Sequence, residues 1–141
     1  MDDITATMRD YIRNIFTLEE EGRETKTSEL ARRLGIKPAS VTEMIEKLAS
    51  LGLVAHDPYR GTRMTEKGKS VITSILRRHR LLERLLVDIV GLDTQSACTE
   101  ALRLELLLSD RTVDSICVAL NHPTECPCGK PIYRNEECCG K

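Results

Sequence analysis

The sequence predicts a mainly α-helical protein with one small β-hairpin. Apolar residues recur at helical spacing over most of the chain. The sequence holds one Phe, three Tyr and no Trp, so Leu, Ile and Val must fill the interior, which is typical of packed helices. Two short extended segments flank a tip at residues 57–61 that contains Pro and Gly, which indicates the hairpin.

Three helices are predicted before the hairpin. The first is amphipathic over residues 8–18. Thr27-Ser28-Glu29 offers N-cap chemistry for a short second helix, which Gly35 stops. Pro38 suits the first turn of a third helix, which Gly52 closes.

With strands at 53–56 and 62–64, these helices predict a winged helix-turn-helix, assigned to residues 1–72. Ala31 is small where two helices must approach, and Val41 packs between them. A unit of this kind presents its second helix to the major groove of DNA.

A polycationic segment covers the same motif. Residues 23–80 have thirteen basic and six acidic side chains, a net charge of +7, whereas residues 1–22 and 81–141 each have a net charge of −4. Basic surfaces of this kind suit nucleic-acid phosphates. We therefore predict DNA binding; the alternatives are a winged helix used for protein contacts and a solvated charged surface without a partner.

The predicted DNA contacts come from side chains that avoid the apolar helix face. Lys37 and Lys47 can meet phosphates, and Arg60 of the wing suits the DNA backbone or minor groove. Ala39 can contact a thymine methyl group. The full predicted set is Thr27, Lys37, Pro38, Ala39, Ser40, Thr42, Glu43, Lys47 and Arg60.

A second group of helices follows the hairpin. A long helix is predicted from Thr65 to about Val90, and shorter ones near residues 94–108 and 110–120. The first two have more apolar surface than a single neighbour can cover, which favours a homodimer over a monomeric core. The predicted interface residues are Leu85, Leu86, Ile89, Leu104 and Leu108.

Composition and motifs exclude several classes of protein. No run of about 20 apolar residues is present, so no membrane span is predicted. The acidic N-terminus does not resemble a secretory signal, so we expect a cytoplasmic protein whose six Cys are metal ligands or redox thiols. The sequence has no P-loop, nucleotide-binding glycine pattern or Ser/His/Asp set, so an enzyme is not predicted.

Several short blocks occur together in one order along the chain. They include Asp10-Tyr11-Ile12-Arg13, Pro58-Tyr59-Arg60-Gly61, Arg78-His79-Arg80-Leu81-Leu82-Glu83, Gly91-Leu92-Asp93 and His122-Pro123-Thr124. Over roughly residues 1–132 the chain thereby resembles the diphtheria-toxin-repressor family of iron- and manganese-dependent transcriptional repressors. The resemblance implies a homodimer on palindromic operator DNA, with a helical dimerisation and metal-sensing domain at 73–122. The SH3-like domain of many members is not expected here, and residues 123–141 are predicted as a Cys-rich tail.

The resemblance also implies metal ligands. Ligand positions of the family match Asp10, His79, Glu83 and Glu105, and a second-site His position matches Cys98. Two other ligand positions are occupied by Leu102 and Leu106, which have no lone pair to donate. We therefore expect that the family's primary metal site has lost most of its metal affinity in this chain. His79 and Glu83 share one helix face, as a divalent ion requires, although an ordinary hydrogen-bonded pair is the alternative.

Four Cys lie in the last sixteen residues, at Cys126, Cys128, Cys138 and Cys139. Such thiolates suit zinc or an iron–sulfur cluster. We therefore predict a repressor of metal or iron homeostasis genes that senses iron through Cys-bound iron or an iron–sulfur cluster, with Mn²⁺ and Zn²⁺ as alternative ions. Direct Fe²⁺ or Mn²⁺ sensing at the His and carboxylate residues, thiol-redox sensing, and a tail without ligand remain alternatives.

Overall fold

Helices make up most of the chain in the computed structural model, which describes residues 3–140. In chain order the elements are α1 (Ala6–Glu20), α2 (Thr27–Leu34), α3 (Pro38–Ser50), β1 (Val54–Asp57), β2 (Gly61–Met64), α4 (Glu66–Leu85), α5 (Thr94–Leu104), α6 (Asp110–Ala119) and α7 (Glu136–Cys139). The chain divides into two units, of which one ends at Ile72 and the other begins at Thr73. The predicted mainly α fold with a winged helix-turn-helix is confirmed.

Local sequence signals set most of the helix ends in the N-terminal unit. Gly35 adopts the left-handed conformation with φ of 67° at the end of α2, and Pro38 occupies the first turn of α3. Thr27 is not the N-cap of α2. It is the first residue of α2, and the preceding Lys26 takes the N-cap position without a side-chain hydrogen bond.

The core of the N-terminal unit is formed by the apolar faces of its three helices and the hairpin. Its most completely buried side chains include Met8, Ile12, Ile15 and Leu18 of α1, Leu30 of α2, and Val41 and Leu48 of α3. Burying these faces leaves the opposite side of α3 in solvent, because a helix presents its apolar stripe to the core and its polar residues outward. The exposed face of α3 is therefore available to a partner.

The wing is fastened to the chain between α1 and α2. β1 and β2 pair antiparallel, and Thr62 of β2 also donates its backbone N–H to the carbonyl oxygen of Thr25 over 2.8 Å. The close approach requires glycine at position 61, because a Cβ there would overlap the carbonyl of Thr25. Gly61 has φ of 84°, which side chains other than glycine rarely adopt.

Replacing Gly61 with Ala is expected to displace the wing and destabilise the N-terminal unit by more than the same change at Gly22. Both glycines have positive φ, but a Cβ at Gly22 would meet no atom within 4 Å. The matched pair therefore separates the backbone penalty, about 1 kcal/mol, from the overlap with Thr25. Urea denaturation measures the difference, and equal losses of stability in the two variants would contradict this account of the wing.

The C-terminal unit differs from its predicted outline at two helix ends. The α-helical part of α4 ends at Leu85, and a π-helical turn at Leu86–Val90 continues it to Gly91, which has φ of 86°. The predicted helix 94–108 stops at Leu104, four residues early. None of the helices in residues 3–140 is long and apolar enough to cross a lipid bilayer.

The Cys-rich segment folds onto this second unit. A β-bridge joins Glu125 to Pro131, and Ile132 is buried in a core cluster with Leu81, Val113 and Cys117. The segment then forms the short helix α7, whose two cysteines pack against the same cluster. Its position in the core is explained by Ile132, the one aliphatic side chain that the segment contributes to the cluster.

The apolar surface predicted for dimerisation is divided between solvent and core. Ile89 is 70% exposed and Leu104 is also exposed, whereas Leu85 and Leu86 are half-buried. Leu108 packs against the core cluster of its own chain, and its neighbour Leu107 is 78% exposed. The interface stays a prediction, to which the exposure of Leu107 adds one candidate residue.

Candidate functional site

The predicted DNA-contacting side chains lie on the exposed face of α3, in the turn before it, on the wing and, for Thr27, at the start of α2. All of them are exposed except Thr27, which is half-buried. Lys37 is the N-cap residue of α3, followed by the exposed residues Pro38, Ala39 and Ser40. The Thr42 hydroxyl donates to the carbonyl oxygen of Pro38 over 3.1 Å, which leaves its lone pairs as acceptors.

The wing tip presents an aromatic residue that the sequence analysis did not select. The Asp57 carboxylate accepts hydrogen bonds from the backbone N–H groups of Tyr59 at 2.8 Å and Arg60 at 3.3 Å, which shapes the turn. Tyr59 is 94% exposed. The sequence signal that identifies Tyr59 is an aromatic side chain next to an arginine at the tip of a basic hairpin.

Much of the positive charge counted between residues 23 and 80 is committed to ion pairs. Glu29 contacts Arg23 and Arg32 at 2.8 Å and Arg33 at 3.3 Å. The hydrogen bond from Arg32 is the largest cause of the lowered pKa of Glu29, about 2. The cationic surface near α3 and the wing is therefore best represented by Lys37, Lys47, Arg60 and Arg63.

The arginines of the α4 block are structural. Arg77 pairs with Asp114 at 3.3 Å, and Arg78 pairs with Asp110. Arg80 donates to the carbonyl oxygen of Pro131 over 2.6 Å. All three guanidinium groups are buried within the C-terminal unit, so they do not add to a DNA-binding surface.

His79 lies at the centre of a cluster in the C-terminal unit whose carboxylates are buried and whose cysteine, Cys98, is exposed. Its Nδ1 is 2.6 Å from a carboxylate oxygen of Glu105, which is completely buried. Its Nε2 is 3.1 Å from Oε1 of Glu83, one turn further along α4, and 3.5 Å from Sγ of Cys98 on α5. The structure thus brings together four of the sequence-predicted metal residues.

This arrangement fits a metal ion. A carboxylate that accepts the Nδ1–H of a histidine fixes the ring and directs the Nε2 lone pair outward, as in carboxylate–histidine–metal sites. Here the Nε2 of His79 faces two further potential metal ligands, Glu83 and Cys98, although protons on Nε2 and on the thiol would satisfy the same contacts as hydrogen bonds. The three donor atoms lie within 4.8 Å of one another.

The family's primary site is not supported by the residues present. Leu102 and Leu106 have no donor atoms, and the carboxylate of Glu105 is engaged by His79. Asp10 belongs to the N-terminal unit, where its carboxylate accepts hydrogen bonds from Arg9 at 3.2 Å. Glu105 therefore contacts the ring nitrogen of His79 that faces away from Glu83 and Cys98, a position that suits orientation of the ring.

The tail cysteines divide between two environments. Cys126 is buried and its Sγ accepts from the backbone N–H of Lys130 over 3.4 Å, while Cys128 is exposed. Neither of them belongs to a potential metal-binding group among residues 3–140. The structure therefore does not bring the four tail thiols together into one site. The predicted set is Cys126, Cys128, Cys138 and Cys139.

Cys138 and Cys139 instead join two residues that the sequence analysis left outside the metal set. Together with Cys117 and His122 they place four ligand atoms within 4.8 Å of one another. Cys117 is buried on α6. The signal that identifies it is a His five residues later, just past the end of α6, where the chain can turn back toward the helix.

Electrostatics within this cysteine cluster favour one thiolate. Burial raises the pKa of Cys117 to about 12 and also raises the pKa of Cys138. Burial opposes ionisation of Cys139 as well, but hydrogen bonds from the backbone at Asn135 and from the side chains around it outweigh that effect and lower its pKa to about 6. Of the three thiols in the cluster, Cys139 is therefore the one whose thiolate form is favoured.

Comparison with known proteins decides the family. A family model described as the iron dependent repressor N-terminal DNA binding domain matches residues 3–62, and one described as the iron dependent repressor metal binding and dimerisation domain matches residues 65–134. The chain belongs to the iron-dependent repressor family. The predicted resemblance to diphtheria toxin repressor is confirmed, and the repressor is a metal-dependent, DNA-binding transcriptional regulator.

Three similar proteins illustrate the relationship. An uncharacterized HTH-type transcriptional regulator of Methanocaldococcus jannaschii is 40% identical over 114 residues, which cover 80% of this repressor and 91% of that protein. The iron-dependent repressor IdeR of Mycobacterium tuberculosis is 35% identical over 132 residues, 94% of this chain and 57% of IdeR. A manganese-dependent transcriptional repressor in complex with manganese is 34% identical with a TM-score of 0.81, covering 94% of this chain and 60% of that one.

The matched ranges separate shared features from those particular to this repressor. The DNA-binding match includes α3, β1 and the first two residues of β2, and the metal-binding and dimerisation match includes His79, Cys98 and Glu105. Cys138 and Cys139 lie beyond residue 134, outside both matches. This chain spans 57% of IdeR, so the activity of that whole protein is not transferred by the match alone.

Proposed function

We propose that this repressor is a cytoplasmic homodimer that binds palindromic operator DNA when ferrous iron is held by His79, Glu83 and Cys98. The observation that supports the proposal is the orientation of the His79 ring. A carboxylate oxygen of Glu105 lies 2.6 Å from Nδ1 of His79, and the Nε2 of the same ring faces Glu83 and Cys98. Bound iron would supply a divalent charge shared by ligands of α4 and α5. No catalytic role is proposed.

The donor set favours iron over manganese. Relatives named for iron dependence and for manganese dependence both resemble this chain. Imidazole nitrogen suits iron, and thiolate sulfur selects soft or borderline metals, whereas manganese prefers carboxylate, carbonyl and water oxygens. Cys98 therefore shifts this site away from manganese. In the proposed site, iron has a single thiolate ligand, Cys98. The proposed iron sensing therefore does not require an iron–sulfur cluster.

The residues of the site connect α4 and α5, and α4 begins directly after the wing. Glu66 follows β2 by two residues, and α4 runs without a break from there to Glu83 and Leu85. We infer that the ligands act by fixing α5 against the second half of α4, which pre-organises the dimerisation surface that includes Ile89 and Leu107. A pre-organised dimer binds two half-sites with less loss of conformational entropy.

Salt-dependent DNA binding tests this function. The logarithm of the affinity for an operator duplex, measured by anaerobic fluorescence anisotropy with ferrous iron, should fall linearly with the logarithm of the salt concentration. Lys37→Ala and Arg60→Ala are each expected to reduce that slope by about one. Sedimentation of the complex should give two chains per duplex.

The matched control is Arg103→Ala. Arg103 is equally cationic, but it is 70% exposed on α5 and paired with Glu100 at 3.1 Å. It should leave the salt slope unchanged. An operator affinity that does not depend on iron would overturn the proposed function. So would a salt slope that changes in Arg103→Ala but not in Lys37→Ala or Arg60→Ala.

A further inference from the structure

We propose that Cys117, His122, Cys138 and Cys139 form a mononuclear zinc site that fastens the C-terminal segment to α6. The site is separate from the His79 cluster and shares no ligand with it. It requires the two cysteines that follow residue 134, beyond the part of the chain that the family models match. The proposal does not depend on which metal activates DNA binding.

The distances between these ligand atoms suit one tetrahedral ion. Sγ of Cys117 is 3.6 Å from Sγ of Cys139 and 3.3 Å from Nδ1 of His122. Tetrahedral zinc separates two thiolate sulfurs by about 3.8 Å and a sulfur from an imidazole nitrogen by about 3.6 Å. Small movements of the side chains would therefore complete the coordination. Three Cys and one His form a donor set of closed, structural zinc sites.

The backbone after α6 brings His122 into place at a conformational cost. Asn121 and His122 have φ of 60° and 50°, in the left-handed region that residues other than glycine seldom adopt. The backbone N–H of His122 donates to the carbonyl oxygen of Cys117 over 2.8 Å, which holds the imidazole beside that thiol. These two residues turn the chain back at the C-terminal end of α6 and bring His122 next to Cys117.

Packing alone does not account for α7. The helix is four residues long and consists of Glu136, Glu137, Cys138 and Cys139. An isolated helix of one turn is unstable, and α7 contributes no aliphatic side chain. Its contact with the buried cluster is made by its two cysteines, so a metal bound to their sulfurs would supply the missing anchor.

Surrounding groups suit a zinc–thiolate complex, which has a net negative charge with three thiolates. The guanidinium of Arg77 lies 4.0 Å from Sγ of Cys139, and Arg77 is itself held by Asp114. A two-iron cluster would separate its ligands into two pairs across its width, whereas all four donor atoms here lie within 4.8 Å.

Metal analysis and proteolysis of the full-length protein test the zinc site. Wild-type protein, purified anaerobically without chelator and dialysed, should retain one zinc per chain that Cys139→Ser and His122→Asn remove. Trypsin should then cleave after Arg134 about tenfold faster in these variants, because the segment opens locally. Circular dichroism should show that both variants remain folded, since Cys139 and His122 are only half-buried.

Two controls assign the zinc to this cluster. Cys128→Ser removes an exposed cysteine of the same segment and should retain both the zinc and the trypsin resistance. His79→Ala should retain the zinc as well, which separates this site from the proposed iron site. Protein without zinc, zinc that is lost on replacing Cys128 or His79, or a Cys117–Cys139 disulfide in the anaerobic protein would overturn the proposal.

Discussion

Replacing His79 with Ala is expected to abolish the iron dependence of operator binding and to lower the affinity measured with saturating iron by about 100-fold. His79 is the shared element of the cluster, since it contacts Glu105, Glu83 and Cys98. Without the imidazole, the remaining donors are one carboxylate and one thiol, too few to hold a divalent ion against water. Anaerobic anisotropy titrations with and without ferrous iron measure the effect.

A second variant and a histidine control make this result specific. Glu83→Gln preserves the size of the side chain and removes its charge, so it should weaken the iron response even if His79→Ala impairs folding. His122→Ala alters the other potential metal-binding group of the same unit and should retain the iron response. If His122→Ala lost the response and His79→Ala kept it, iron would be sensed at the cysteines instead.

Replacing Glu105 with Ala is expected to reduce the free energy of unfolding by about 3–5 kcal/mol. Glu105 is completely buried, and its carboxylate is 2.6 Å from Nδ1 of His79. Truncation leaves a cavity and a buried imidazole N–H without that acceptor, and both effects are destabilising. Urea denaturation of metal-free protein measures the loss.

Substitutions that differ in one property separate stability from metal binding. Glu105→Gln retains an acceptor for the Nδ1–H and should cost only about 1–2 kcal/mol, but it should weaken iron binding about tenfold, as is usual for an orienting partner. Glu100→Ala, one turn earlier on α5, removes an exposed ion pair and should change stability by less than about 0.5 kcal/mol. A Glu105→Ala protein as stable as Glu100→Ala would contradict the assigned role.

The parts of the fold that sequence predicts well are those governed by local chemistry. Gly35, Pro38 and Gly91 lie at helix ends where glycine and proline have defined conformational roles. The early end of α5 at Leu104 was missed because Leu104, Leu106 and Leu108 prolong the apolar pattern, whereas burial of Glu105 against His79 decides the local path of the chain. Periodicity does not detect such a tertiary hydrogen bond.

The count of charged residues and the spacing of the cysteines predicted the functional sites less well than local helix signals predicted the fold. The count of basic residues did not show that Arg77 and Arg78 are buried with acidic partners on α6. Spacing suggested that the four tail cysteines act together, yet Cys139 lies against Cys117, which precedes it by 22 residues. That pairing depends on the left-handed residues after α6 and on the burial of Ile132, which are tertiary features.

The ligands of iron in the intact repressor test the central claim most directly. Iron X-ray absorption of anaerobic protein, loaded with one equivalent of ferrous iron, should show a first shell of nitrogen and oxygen with a single sulfur, and this sulfur should disappear in Cys98→Ser. A shell made only of sulfur with a short iron–iron vector, or a sulfur that persists without Cys98, would contradict the assignment of iron to the His79 cluster.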